Sequence, residues 1–333
     1  MGKLKLPQLT LVAALLYVLI KVLSLDSVGA LNGYFMIIIN RSLIFVILTV
    51  SLNLINGITG QFSLGHMGFA AVGAYVSGTI TTLVLKLSPD VVSNYPIFIG
   101  AIILGGIGAA VAGLVIGFPS LRLKGDYLAI MTLGFGEVIR IILNNIDYVG
   151  GPRGLLGIPK FSTFTIIYVF TFFTIVLIRN LIQSSHGRAM LAVRENEVAA
   201  ELVGVDTTRY KVLGFVVGAF FAGIGGGLLA HLLQIATPTQ YGFYASALLL
   251  VYVYAGGMGS ITGSIIAAFG LTFLSQFLQL GFDSLSSITG INFGSEWTMV
   301  IYALLLILIM LYKTEGLMGM KEAKLLVIEE GTK

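Results

Sequence analysis

The chain has 333 residues, of which 57% are apolar and only 10% are Asp, Glu, Lys or Arg. Soluble domains carry about 25% charged residues, so this composition excludes a soluble globular protein and fits a chain whose surface faces lipid. The net charge of +4 sits at the ends of apolar runs, which matches orientation by Lys and Arg in a membrane rather than a nucleic-acid footprint. The absence of cysteine excludes disulfides, Cys-ligated metals and thiol nucleophiles.

A bilayer core is about 30 Å thick and needs about 20 mostly apolar residues per helical crossing. In chain order the runs predict spans near 8–24, 34–55, 64–85, 96–118, 127–146, 161–182, 211–235, 243–256, 261–281 and 297–312. The expected fold is therefore an all-α integral membrane protein, a polytopic bundle of about ten transmembrane helices in a single transmembrane domain over 1–333. The first run, Leu9 to Leu25 behind Lys3 and Lys5, has the form of a signal peptide, with small residues at Val28 and Ala30. It is read as a retained first span because further spans follow at once. The fifth run carries Glu137 and Arg140, and a re-entrant segment is the alternative there.

Ten crossings with the N-terminus inside place Lys3, Lys5, Arg122, Lys124, Arg179, Arg188, Arg194, Arg209, Lys211, Lys313, Lys321, Lys324 and Lys333 on the cytoplasmic side. Lys86, Arg153 and Lys160 then face out. That asymmetry predicts cytoplasmic N- and C-termini and a location in the cell inner membrane.

The longest polar stretch, 183–210, falls on the inner side. Ala, Leu, Met, Arg and Glu dominate from Arg188 to Val203, a helix-forming composition, and Gly204 stands where a C-cap is expected. This predicts a short helix lying across the inner face. Met190, Leu191, Val193, Val198 and Leu202 are expected to pack on the bundle, leaving Arg194, Glu195, Asn196, Glu197 and Glu201 for a partner.

Segment 57–78 interleaves glycines with Gln61, Ser63 and His66. Polar side chains at membrane depth usually face the bundle interior or a water-filled path, and Gly-rich broken helices often line substrate sites. Tight packing is the bland alternative, and for His66 a capping or packing role. Glu137 and Arg140, three apart, share a helix face. They can neutralise each other, or recognise a zwitterionic solute. Arg41 also needs a partner inside its span. The pairs Gly113/Gly117, Gly214/Gly218 and Gly223/Gly227 have helix-contact spacing, and GGMGSITGS (256–264) reads as a tight turn. No G-x-x-x-x-G-K-[ST] phosphate loop occurs, so the chain cannot drive transport by its own ATP hydrolysis. His66, His186 and His231 are scattered without metal-ligand spacing. No enzyme, cofactor or metal site is expected.

Four stretches together resemble a known family: TGQFSLGHMGFAAVGAY (59–75), LRLKGDYLAIMTLGFGEVIR (121–140), SSHGRAMLAVRENEVAAELVGVDTTRYKVLGF (184–215) and GGMGSITGS (256–264). The chain looks like the M-type (LivM-like) permease subunit of branched-chain amino acid ABC importers. The resemblance implies the permease fold of that importer class and inward transport of leucine, isoleucine or valine by alternating access. It also implies a second, H-type permease, two cytoplasmic ATPase subunits and an extracytoplasmic binding protein, with membrane lipid and a small solute but no nucleic acid as further partners. Loop 183–210 would be the cytoplasmic coupling element, with Arg188, Arg194, Glu195, Asn196, Glu197, Ala199, Ala200 and Gly204 meeting the ATPases. The importer pattern E-A-A-x-x-x-G is only partly kept: Val198, Ala199, Ala200 and Gly204 occupy it, with Glu197 one place before the pattern's acid. Gln61, Ser63, His66, Glu137 and Arg140 are candidate pathway residues. Urea or another small amide as solute stays open, as do a passive channel and an ion-coupled transporter using Glu137 or Asp147.

Overall fold

Without water to bond them, backbone N–H and C=O groups in a lipid layer must pair within their own segment, so the apolar runs become helices. The computed structural model describes residues 6–23, 33–89, 91–120, 125–289, 295–313, 315–319 and 321–322. Lys3, Lys5, Leu25, Val28, Ala30, Arg122, Lys124, Lys324 and Lys333, which enter the readings above, lie outside these residues. The helices in chain order are α1 (Leu6–Leu23), α2 (Gly33–Asn53), α3 (His66–Thr79), α4 (Asn94–Ser120), α5 (Asp126–Asn144), α6 (Phe164–Gln183), α7 (Ser185–Glu195), α8 (Glu197–Leu202), α9 (Thr207–Leu233), α10 (Phe243–Gly256), α11 (Ile261–Thr289) and α12 (Ser295–Tyr312). α2 and α3 each run on into a π-helical turn, Leu54–Ile58 and Ile80–Val84.

Seven of these helical stretches among the described residues are long and apolar enough to cross a membrane: Gly33–Ile58, His66–Val84, Asn94–Pro119, Tyr127–Asn144, Phe164–Gln183, Thr207–Leu233 and Ile261–Phe282. The remaining expected spans correspond to α1, α10 and α12. α10 has 14 residues and rises about 21 Å at 1.5 Å per residue, short of a full hydrocarbon core. α5 is one unbroken helix, so its backbone does not re-enter.

α2 is hydrophobic all round and almost wholly buried from Ile38 to Asn53, as a helix enclosed by others must be. It packs against α6, α9, α10 and α11. α3, α4 and α9 form a second tight group, and small residues let their backbones touch. A Cβ at Gly73 of α3 would overlap Gly223 of α9, and one at Gly226 would overlap the Ala70 carbonyl. Gly113 meets Ala219, Gly214 meets Thr59 and Gly218 meets Ile55, so each of the three spaced pairs lies at a contact between elements.

Two short strands, β1 (Leu155–Leu156) and β2 (Ile235–Ala236), pair antiparallel with Leu155 opposite Ala236. They join the α5–α6 loop to the α9–α10 loop at one end of the bundle, the strand end. α7 and α8 lie at the other. Arg179, expected among the loop charges, is instead fully buried in α6. Arg41 is exposed on α2, with its guanidinium 5.7 Å from the Phe45 ring, a cation–π distance.

Candidate functional site

The polar stretch 183–210 folds as two helices rather than one. Its composition favours helix throughout, yet Asn196 adopts an extended backbone (φ −159°, ψ 106°) and its side chain accepts the Ala199 N–H at 3.0 Å. Asn is a strong N-cap, and here it ends α7 and starts α8. α8 closes on Gly204 (φ +86°), where Gly204 N–H donates to the Glu201 carbonyl and Val205 N–H to the Ala200 carbonyl. This is the paired bonding of a Schellman cap, which favours glycine.

The break changes which residues face the bundle. Met190, Val193 and Ala200 are buried, but Val198 and Leu202 are not: they are 62% and 83% exposed, with Val203 at 77%. The expected inward packing of Val198 and Leu202 is thus overturned, because the break at Asn196 turns α8 and leaves Ala200 as its buried contact. Glu195 is exposed, and exposed Arg188 donates from Nη1 to the Gln183 carbonyl at 3.2 Å. Ala199 is also exposed.

Three bonds tie the α7–α8 pair down. Arg194 Nη1 donates to the Gly57 carbonyl at 2.6 Å, reaching the π-turn that ends the second span. Lys211 of α9 donates to Glu197 at 2.5 Å. The Thr207 hydroxyl donates to Glu201 at 2.7 Å. Beside them the chain between α2 and α3 is non-helical over 59–65. Its Gln61 donates from Nε2 to the Lys211 carbonyl at 3.0 Å. A cavity of about 220 Å³ lies here, lined by Gln61, Arg194, Glu195, Asn196, Glu197 and Lys211 among others. The structure therefore brings one candidate pathway residue, Gln61, together with four of the candidate coupling residues.

The other pathway candidates lie apart from that cavity. Ser63 is bonded through its backbone to Asn56, its N–H to Oδ1 at 3.2 Å and its carbonyl to Nδ2 at 3.3 Å. His66 is fully buried at the start of α3, its Nε2 2.9 Å from Ser51 Oγ. Glu137 and Arg140 form an ion pair on α5 (2.6 Å), and both side chains stay about a third exposed. The second Glu137 oxygen accepts the Phe243 N–H at 2.9 Å, capping an orphan donor at the start of α10. The two candidates share the α5 face and neither reaches His66 or Ser63. Nearby Tyr241 is buried, and burial together with the Tyr75 phenol pushes its own phenol up, so it stays neutral. Among the described residues no three His, Asp or Glu side chains gather as a metal ion would need.

Sequence reading misses the residues that join this region to the rest. Asn53 donates to the Ser260 carbonyl and Ser264 Oγ and accepts the Gly259 N–H. Its one signal is a polar side chain near the end of an apolar run.

Comparison with known proteins shows the family to which the chain belongs. Residues 34–310 match the family model described as branched-chain amino acid transport system / permease component. The chain is 33% identical over 326 residues to the high-affinity branched-chain amino acid transport system permease protein LivM of Salmonella typhimurium, covering 86% of this chain and 71% of that protein. It is 33% identical over 322 residues to LivM of Escherichia coli, covering 85% and 70%. To LivH of Salmonella typhimurium it is 26% identical over 301 residues, covering 84% and 92%. No solved structure matches. With a match over most of its length and a helical, multi-pass architecture, the chain belongs to the branched-chain amino acid transport permease family.

Proposed function

We propose that this chain is the M-type permease subunit of an inner-membrane ABC importer for leucine, isoleucine and valine. Two separate ATPase subunits dock on α7 and α8 from the cytoplasm, and a binding protein delivers solute from outside. In this reading the chain crosses the membrane about ten times with both termini cytoplasmic. The single observation that carries it is the exposed apolar face of α8, Val198, Leu202 and Val203. It sits on a helix pair fastened to the second span and to α9 by charged groups. Such a pair moves as a rigid body when pushed, and Arg188, Glu195 and Ala199 are exposed around it.

α5 supports placing the solute pathway at its face. It is the least buried of the seven candidate spans, yet it carries the Glu137–Arg140 pair. An ion pair a third exposed cannot face lipid tails without great cost. A second, H-type permease therefore completes that face, and LivH is a relative of the kind required. Arg140 and Glu137 offer both charge signs to a zwitterion, and the exposed Ile130, Val138 and Ile141 give an apolar wall suited to a branched side chain.

The test is reconstitution of the whole transporter in proteoliposomes. Leucine uptake is expected only with binding protein and ATP, and Leu202→Asp is expected to lower both hydrolysis and uptake. Uptake driven by a proton gradient with no ATPase present would refute the reading.

A further inference from the structure

The α7 end of the bundle holds a hydrogen-bonded knot that the coupling reading leaves unused. It begins at Asn53, the last residue of α2, which is 2% exposed. Its Oδ1 accepts the Gly259 N–H at 2.9 Å, and its Nδ2 donates to the Ser260 carbonyl at 2.9 Å and to Ser264 Oγ at 2.8 Å. One side chain thus engages both amide hydrogens and its oxygen across a sequence gap of more than 200 residues. It fastens the end of α2 to the turn between α10 and α11. Glycines make the approach possible: a Cβ at Gly57 would overlap both Asn53 and the Gly259 amide, and Gly259 itself has φ +92°.

The same turn is held from beneath by the tail that follows α12. Leu317 N–H donates to the Ala255 carbonyl at 2.7 Å and Met318 N–H to the Gly256 carbonyl at 3.1 Å. Ser260 Oγ donates to the Lys321 carbonyl at 2.8 Å. The Glu322 carboxylate accepts the Thr262 N–H at 3.0 Å, together with the Ile261 N–H and the Thr262 hydroxyl. The first N–H groups of a helix have no partner inside it, and a negative charge is favoured there. The tail therefore adds a carboxylate to the cap that Ser260 already gives α11, its Oγ accepting the Gly263 N–H at 3.0 Å.

Arg194 meets this knot where it is narrowest. Its Nη1 bonds to the Gly57 carbonyl, one turn beyond Asn53, and its guanidinium lies against Gly259. α7 thus touches the end of the second span and the α10–α11 turn through a single side chain.

We infer that Asn53 and Glu322 are positioning residues that lock the ends of α2, α10 and α11 and the tail residues 315–319 and 321–322 into one block. Arg194 grips that block, so a displacement of α7 reaches three membrane helices together rather than α9 alone. The inference rests on the coupling reading of α7 and α8. Glu322, outside the membrane spans, acts through the cap of α11, and Asn53 through the turn; neither touches solute or nucleotide.

The experiment uses the complete transporter in proteoliposomes and records solute moved per ATP hydrolysed, a ratio that a loss of folded protein does not change. For Asn53→Ala and Glu322→Ala, hydrolysis stimulated by loaded binding protein is expected to stay near normal. The ratio is expected to fall about tenfold, as for a coupling free energy between distant sites. Glu322→Gln, which keeps one acceptor oxygen, is expected to recover part of it. Should uptake and hydrolysis fall in parallel with the amount of assembled complex, at a constant ratio, the two residues are merely structural and the inference is overturned. Leu202→Asp, on the exposed face of α8, separates the underlying reading. If L202D leaves hydrolysis and uptake normal, the coupling reading fails and takes the inference with it. If L202D is defective while N53A and E322A keep a normal ratio, the inference alone fails.

Discussion

α3 and α5 run side by side and dispose of their polar groups in opposite ways. α3 is mostly buried and holds its polar atoms inside the bundle: His66 Nε2 lies 2.9 Å from Ser51 Oγ and Ser77 Oγ donates to the Gly73 carbonyl, while His66 Nδ1 and the Tyr75 hydroxyl are buried without a hydrogen bond. Few residues of α5 are buried, yet it holds an ion pair that the chain only partly covers. Polar residues inside a membrane span thus carry two meanings. Where small residues seal the helix into the bundle, the polar groups specify packing. Where an apolar, half-naked helix carries charges, those charges require something from outside the chain. On this contrast we propose that α5, rather than the glycine-rich segment at 57–78, lines the solute pathway.

Four substitutions break or sharpen the contrast. The largest effect is expected at the seam: Gly73→Val drives a branched side chain into the Gly223 backbone. Overpacking of this kind costs about 3 kcal/mol or more, seen as a collapse in the yield of monodisperse protein in detergent. Next comes Ile142→Arg on the exposed face of α5. Alone, the chain should keep its melting temperature, because Ile142 lies in the last turn of α5 and a long Arg side chain near a helix end reaches the interface. Co-purification with the second permease should be lost, and retained assembly would show that α5 faces elsewhere. Third, Arg140→Met is expected to cut solute uptake strongly with a stability change of about 1 kcal/mol or less, because a pair this exposed is largely screened by solvent. Smallest is Ser51→Ala, which removes one buried hydrogen bond to His66. It should cost about 1 kcal/mol with uptake within twofold of normal. A large transport defect from S51A at normal stability would return α3 to the pathway.

Much of this molecule is legible in its amino-acid order. Apolar runs of span length announce themselves because the bilayer imposes one thickness on all of them, and α2, α4, α6 and α9 fall close to their expected bounds. The close contacts at Gly113, Gly218 and Gly223 are legible from spacing alone, and the Gly204 cap from its place after a helical composition. The i, i+3 spacing of Glu137 and Arg140 foretells their pairing. What escapes is set by contacts remote in sequence. Asn196 looks like one more residue in a helical run until its side chain is seen capping α8. The faces of Val198 and Leu202 follow from that break and cannot be read through it. Glu322 and Asn53 meet partners about 60 and 207 residues away, and no local pattern names those partners. The α7–α8 cavity is likewise built from four separate stretches, at 59–62, 125–128, 193–197 and Lys211, of which composition marks only two.

The two-residue pairing of β1 with β2 has a mechanical meaning. Leu155 and Ala236 hold two loops at a fixed separation, and the Ile158 N–H adds a bond to the Gln234 carbonyl at 3.1 Å. A ladder this short fixes a distance but resists twisting weakly. α5 and α6 are thereby pinned to α9 and α10 at the end away from α7 and α8. Under the coupling role proposed for α7 and α8, the clasp would act as a fulcrum: a small displacement applied there would become a tilt, largest where the push is delivered and vanishing at the strands.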